Sequence, residues 1–143
     1  MTIESITDSL KSEIKNRLGF HAFLLPQKAT NNTAHIDLLF QSVEGNGEGS
    51  EKLTFSAEYR TAGTHAKWLT ETIRISRKIS LMNKSDTPYM PFECDGERLR
   101  AYWTRSGKAG WVYPNEDESS MPAEYVIPYS VEIDIPTRLI TED

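Results

Sequence analysis

Three histidines and one cysteine are the residues most able to support catalysis or metal binding, and their spacing favours neither. His21, His35 and His65 stand in no motif with metal-ligand spacing. His35 and Asp37 lie two residues apart on the polar face of a predicted strand, and we interpret them as a surface pair. Cys94 has no neighbouring base that would activate a thiolate, which favours a structural thiol. We therefore expect no catalytic residue, cofactor or metal, and we predict that the protein is not an enzyme.

Residues 98–113 are a second candidate site, because basic and aromatic side chains interleave there. Arg100 and Trp103 belong to a mixture that suits stacking on nucleic-acid bases and contact with phosphates. The same composition is also typical of an ordinary hairpin, in which aromatic side chains pair across the strands and basic side chains cover the solvent-exposed face. The formal net charge of −5 argues against a dedicated nucleic-acid binder. Binding of DNA or RNA through this hairpin therefore remains a less favoured alternative.

Acidic and basic residues are distributed unevenly along the chain. Residues 60–84 contain six bases and one acid, whereas residues 114–143 contain eight acids and one base. Such asymmetry suits contact between copies, basic surface to acidic surface, although solvated faces also show charge runs. The residues that we select as a protein interface are Glu44, Asn46, Glu48, Glu51, Arg74, Arg77, Lys78, Arg100, Trp103, Glu132 and Asp134.

The first part of the chain is predicted to form a helix and two strands. Apolar residues recur every three or four positions over residues 3–18, which predicts an amphipathic helix. Gly19 is a suitable C-cap. Residues 20–25 and 34–43 are predicted strands, the second with an apolar face.

The remainder is predicted to form a strand–helix unit, a hairpin and a long final strand. Residues 53–60 alternate between apolar and polar, and residues 64–79 have helical spacing. The Asp-Gly pair at 95–96 predicts a two-residue hairpin turn. Residues 125–135 alternate again, and Pro128 is expected to place that strand at an edge there or to bulge it locally.

Two polar segments are expected to be mobile loops. Residues 44–51 contain three glycines and three glutamates, which is longer than a tight hairpin needs. Residues 114–123 are an acidic loop that contains two prolines. Long loops often order against a partner, so we expect both to take part in binding.

Length and composition favour one domain assembled in a cytoplasm. A chain of 143 residues fits a single core. It contains no apolar run long enough for a membrane span, and its first residues do not resemble a secretory signal. One cysteine excludes an intrachain disulfide framework.

The order of these elements resembles that of the tail terminator, or tail completion, proteins of long-tailed bacteriophages. The resemblance lies in the N-terminal helix, the long hairpin loop, the strand LTFSAEYR leading into the helix HAKWLTETIRISRKIS, and the closing strand AEYVIPYSVEIDIP. It covers about residues 3–136 and consists of pattern and order. The basic hairpin at 98–113 departs from the simplest members of the family.

The resemblance implies both a fold and a structural role. The implied fold is α+β, with a mixed or mainly antiparallel sheet packed by two amphipathic helices on one face. The implied role is a virion protein whose copies form a ring, usually a hexamer, that caps the tail tube and stops its polymerisation. Its implied partners are other copies, the tail tube protein and the head–tail connector, with DNA only as cargo that passes through.

Two other hypotheses stay open besides nucleic-acid binding. One is a monomeric binding or inhibitor module that docks through its acidic surface. The other is a different neck or tail component of a phage particle. Each predicts a different oligomeric state and a different partner.

Overall fold

A curled β-sheet and two helices form the protein, which confirms the predicted α+β class. The computed structural model describes residues 1–26, 34–45, 47, 49–62, 68–82, 89–112 and 124–140. The elements in that part of the chain are α1 (Ile3–Leu18), β1 (His21–Leu24), β2 (His35–Gly45), β3 (Ser50–Ala62), α2 (Trp68–Met82), β4 (Met90–Cys94), β5 (Glu97–Arg105), β6 (Gly110–Val112), β7 (Glu124–Pro136) and a 3-10 helix (Thr137–Leu139).

Helix α1 has well-defined signals at both ends. At its start, the Thr2 hydroxyl accepts the N–H of Ser5 at 3.0 Å, and the Ser5 hydroxyl accepts the N–H of Thr2 at 2.9 Å. At its end, Gly19 has a left-handed φ of 83° and donates its N–H to the carbonyl of Lys15. The apolar stripe between these caps is fully buried, and its members are Ile6, Leu10, Ile14 and Leu18.

The sheet is mixed and curls around α1. Its strand order is β1-β2-β3-β7-β5-β4, and β6 pairs with β7 beside β5. β1 runs parallel to β2, and the other pairs are antiparallel. Helix α1 packs against both β1 and β4, which lie at opposite ends of this order. The sheet must therefore bend towards the helix from both sides.

One face of the sheet is buried and the other is polar. On β3, Leu53, Phe55 and Tyr59 are buried, whereas the alternate residues are partly exposed. The same core contains Ile75 and Ile79 of α2 together with the stripe of α1. Both helices thus cover the apolar face. The polar face carries most of the charged residues of β2, β3, β5 and β7.

Strand β7 is an interior strand, so the expected sheet edge at Pro128 is confined to a local break. β7 pairs with β3 on one side and with β5 and β6 on the other. Pairing with β5 ends at Arg105, pairing with β6 begins at Gly110, and Pro128 lies between them. The carbonyl of Pro128 accepts the N–H of Ser106 at 3.2 Å. In an antiparallel strand, the N–H and the C=O of one residue point to the same side. The side on which Pro128 lacks an N–H donor is therefore the side of this break.

The hairpin between β2 and β3 has a shorter loop than expected. Glu44 pairs with Lys52, and Gly45 pairs with Glu51, so both ends of the predicted loop belong to strands. The connection is therefore residues 46–49, of which 47 and 49 are described. The second predicted loop, at 114–123, lies outside the described residues. The predicted turn at 95–96 is confirmed, because the residues before and after it pair as β4 and β5.

Leu10 tests how far the fold depends on α1. Leu10→Ala should lower the free energy of unfolding by about 2–5 kcal/mol, since it opens a cavity where the helix fills the curl of the sheet. Urea unfolding measures the loss as a shift in midpoint. Ser12→Ala, on the exposed face of the same helix, should change the value by only about 0.5 kcal/mol. A loss below about 1 kcal/mol for Leu10→Ala would contradict this account.

Candidate functional site

One end of the molecule gathers four chain features that are distant in sequence. Ser50, at the start of β3, pairs with Pro136 at the end of β7. The N–H of Thr137 donates to the carbonyl of Gly49 at 2.9 Å. The β4–β5 turn joins this end through Asp95, whose carboxylate lies 4.0 Å from the N-terminal amino group that precedes α1. The β2–β3 tip, the end of β7, the β4–β5 turn and the start of α1 are therefore neighbours.

This acidic end carries more acids than bases. Its described bases are Lys52, Arg98, Arg100 and Arg138, and Lys52 lies 3.7 Å from the Glu132 carboxylate. Asp134 is exposed beside them. An excess of carboxylates in one region attracts cations or basic surfaces. The acids of this end are Glu4, Asp8, Glu44, Glu51, Asp95, Glu97, Glu132 and Asp134.

The opposite end is basic and is built by the C-terminus of α1 and by α2. The Nζ of Lys78 donates to the carbonyls of Arg17 and Leu18 at 3.4 and 3.5 Å. The guanidinium of Arg74 lies over the ring of Phe20, 5.0 Å from its centre. These contacts fasten α2 to the end of α1. The bases that the structure gathers at this basic end are Lys15, Arg17, Arg74, Arg77, Lys78, Arg105 and Lys108.

The three predicted bases of α2 have different surroundings. Arg74 and Lys78 contact Phe20 and the α1 carbonyls, as described above. Arg77 is exposed and makes no ion pair or hydrogen bond with another residue in the described part of the chain. Arg77 is therefore the base of α2 that is available to a partner.

The two ends are too far apart to neutralise each other. Helix α1 has 16 residues, which corresponds to about 24 Å. Strand β2 covers 11 residues and spans about 33 Å from the basic end to the acidic tip. The screening length at physiological salt is about 8 Å. Each end can therefore attract the opposite end of another molecule rather than its own.

A half-buried ion cluster lies on the polar sheet face near the basic end. The Nε of Arg60 lies 3.2 Å from Asp37 Oδ2, and its Nη2 donates to Glu58 Oε2. His35 Nε2 lies 3.3 Å from Asp37 Oδ1, so the predicted pair is confirmed. It is more buried than a surface pair, because β3 brings Arg60 beside it and the Phe23 ring packs edge-on against His35. These contacts connect β1, β2 and β3, so we interpret the cluster as structural.

The aromatic–basic segment does not form a stacking platform around Trp103. That side chain is 2% exposed, and its ring packs against Tyr129 in the core. The expectation that Trp103 belongs to an interface is therefore corrected: alternation along β5 turns it to the inner face, opposite Val131. Arg100 is on the outer face, where its guanidinium lies 4.6 Å from the ring centre of Tyr89.

The predicted interface residues divide into distinct groups. Glu44, Glu51, Glu132 and Asp134 come together at the acidic end, which the sequence could not show because they come from three strands. The helix residues lie at the basic end. Two others, Asn46 and Glu48, lie outside the described residues. Sequence reasoning also missed a polar groove of about 490 Å³ between α1 and β4, since its walls meet only in the folded chain.

The described residues that could bind a metal ion are dispersed through the fold. Within it, no group of three or more His, Cys, Asp or Glu residues is placed to hold a metal ion. Cys94 is buried, and its Sγ lies 3.8 Å from the Ser5 hydroxyl. Across the described helices, none is long and apolar enough to cross a membrane.

Comparison with known proteins supports the fold alone. No protein-family model and no curated protein matches the chain. Nine solved chains do match it. One, whose name states no function, is similar over 92% of this chain and 90% of its own length, with 12% sequence identity and a TM-score of 0.51. At that identity, the similarity extends to the arrangement of strands and helices.

The ion cluster yields a stability prediction. Arg60→Met should lower the free energy of unfolding by about 1–3 kcal/mol, because it leaves the facing carboxylates Asp37 and Glu58 without the guanidinium between them. Lys52→Met is the matched control; its exposed ion pair should contribute less than about 1 kcal/mol. Chemical denaturation measures both. Equal losses in the two variants would contradict a structural role for the cluster.

Proposed function

We propose that this protein is a structural assembly subunit of the tail terminator type, whose copies form a ring that caps a phage tail tube. The observation that carries the proposal is the presence of two oppositely charged ends on one small domain. In the proposed role, the ring stops polymerisation of the tube and offers a surface to the head–tail connector.

Head-to-tail contact is the natural use of two different complementary ends. When two copies join through unlike surfaces, the pair still has one free acidic end and one free basic end, so further copies can add. If the rotation between neighbouring copies closes, a ring forms; otherwise a filament grows. Complementary charge speeds such encounters and fixes their orientation. A domain with matching ends therefore needs no second protein type to form a closed assembly. This is the behaviour expected of a terminator subunit.

The order of elements supports the same proposal. Helix α1 comes first in the chain, the β2–β3 hairpin precedes α2, and the long strand β7 is the last strand. This is the order on which the resemblance to tail terminators rests. The β2–β3 tip, residues 46–49, connects the two strands at the acidic end, and in the proposed role it meets a tube subunit.

The nucleic-acid alternative is weaker than this proposal. Stacking on bases requires exposed aromatic faces, and Trp103 is in the core. A monomeric binding module could still use the acidic end alone. It differs from the proposed subunit in oligomeric state, and that difference decides between them.

The mass of the protein in solution tests the proposal first. Light scattering after size exclusion should show assembly with rising concentration, and negative-stain images should show rings of about six copies. High salt should shift the equilibrium towards monomer, since it screens the charged ends. A monomer at every concentration, with no rings when tail tubes are added, would favour the binding-module hypothesis instead.

The β2–β3 tip provides a functional test. Replacement of residues 46–50 by Asn-Gly should leave β2 and β3 paired, because Gly45 and Glu51 are paired and would then flank a two-residue turn that this dipeptide suits. Rings should still form, while tails assembled with the variant should be abnormally long or fail to join heads. Electron microscopy of the particles measures both outcomes. Tails of normal length joined to heads would show that the tip does not contact the tube.

A further inference from the structure

Strand β2 has an open edge over its second half. β1 pairs with β2 only from His35 to Leu38, whereas β2 continues to Gly45. Beyond Leu38, no other strand in the described part of the chain pairs with β2 on that side. Unpaired backbone groups along a strand edge are a template for a strand of another chain. We name residues 39–44 the open edge.

The backbone of Phe40 faces away from β3, towards the open side. The carbonyl of Leu38 accepts the N–H of Leu25 at 2.8 Å, so Leu38 faces the side on which β1 lies. In a strand, residues two apart direct their N–H and C=O to the same side. Phe40 therefore has a backbone donor and a backbone acceptor on the open edge.

The backbone of Val43 faces the same way, as the neighbouring strands show. The carbonyl of Pro128 faces β5 and β6, so Ile133, five residues later, faces β3. Its partner Leu53 therefore faces β7, which is away from β2. Val43 is paired with Leu53 across β2 and β3, so its N–H and C=O point away from β3. Val43 is thus a second residue with hydrogen-bonding groups on the open edge.

The side chains of these two residues lie on the inner, apolar face of the sheet. Their partners on β3, Phe55 and Leu53, are buried. The ring of Phe40 lies 5.5 Å from that of Phe55, and Phe40 is half-buried. Val43 is 39% exposed. The inner face of the open edge is therefore apolar and only partly covered.

We propose that the open edge pairs with the same edge of a second copy, antiparallel, about a two-fold axis between Gln41 and Ser42. Phe40 of each copy then lies opposite Val43 of the other, and the two residues exchange N–H to C=O hydrogen bonds. The register shift after Phe40 separates the outward residues by three positions instead of two. An identical strand has the same spacing.

Three features identify the partner as a second copy. The pairing places the two inner-face apolar side chains, Phe40 and Val43, against each other across the axis. The paired segment ends at Leu38, where Leu25 already occupies the edge, so it fills the open length. β2 runs from the basic end to the acidic tip, so antiparallel pairing directs each acidic tip towards the basic end of the other copy.

This contact is separate from the head-to-tail contact of the proposed ring. A two-fold contact uses the same surface on both copies and is complete with two of them, whereas a head-to-tail contact continues to add copies. The inference therefore does not rest on the proposed function. Dimers that do not grow through this edge distinguish the two contacts.

A proline at position 43 tests the backbone pairing. Val43→Pro removes an N–H that faces the open edge and leaves the hydrogen bonds to β3 intact. Val43→Thr keeps the N–H and the branched shape, so it is the matched control. In light scattering after size exclusion, Val43→Thr should form dimers like the unchanged protein. Val43→Pro should dimerise at least about tenfold more weakly, because each copy loses a donor.

Urea unfolding checks that Val43→Pro is folded. Equal dimerisation of the proline and threonine variants would overturn the inference. An unchanged protein that is monomeric at every concentration would also overturn it.

Cysteine cross-linking tests the register without a proline. Leu39 and Glu44 lie opposite each other across the proposed axis as a non-hydrogen-bonded pair, with Cα atoms about 4.5 Å apart, which a disulfide can bridge. Under oxidation, an equimolar mixture of Leu39→Cys and Glu44→Cys should give a cross-linked dimer. Either variant alone should stay uncross-linked, because its two cysteines are about 17 Å apart. Cys94 is buried and can remain in place.

The double variant, with both cysteines on one chain, shows whether the contact closes. It should give cross-linked dimers without larger species, as a two-fold contact requires. A mixture of the single variants that gives no cross-linked dimer would overturn the inference. A ladder of larger species from the double variant would overturn it as well, and would point to head-to-tail addition through this edge.

Discussion

The fold depends on the contact between the apolar stripe of α1 and the concave face of the sheet. Four fully buried residues, from Ile6 to Leu18, lie between β1 and β4, which are far apart in the strand order. Since burial of each such side chain contributes about 1.5–3 kcal/mol, the helix offsets the cost of bending the sheet around it. Loss of the helix would expose the inner face of the sheet where the stripe of α1 packs, including β1 and β4.

This arrangement also sets where charge is placed. A sheet that wraps a helix has one solvent-exposed face and two ends, and charged residues are placed on that face and at those ends. On the solvent-exposed face, charged side chains form ion pairs within the molecule, as Arg60 does with both Asp37 and Glu58. The ends keep more of theirs exposed, as Glu44 and Arg77 show. Partner recognition is therefore expected at the ends rather than across the face.

The sequence predicted the elements well because their periodicity is local. The α1 stripe, the alternation on β3 and the turn at 95–96 depend on residues that are close together in the chain. The strand order depends on long-range pairing, so Pro128 suggested an edge or a bulge, whereas β7 is an interior strand whose pairing is interrupted only at that residue. For the same reason, the burial of Trp103 required knowledge of which side of β5 meets the core. Four acidic residues of the acidic end were predicted from the sequence as interface residues, but their proximity in the fold was not predicted.

The three bases of α2 illustrate how packing divides a charge cluster that is uniform in sequence. Lys78 reaches the carbonyl end of α1, where a cation is favoured by the helix dipole. Arg74 covers an aromatic ring. Both therefore hold α2 in place, and they also fix the direction in which Arg77 points. A structural role for two members of the cluster thus leaves the third exposed on the surface of the helix.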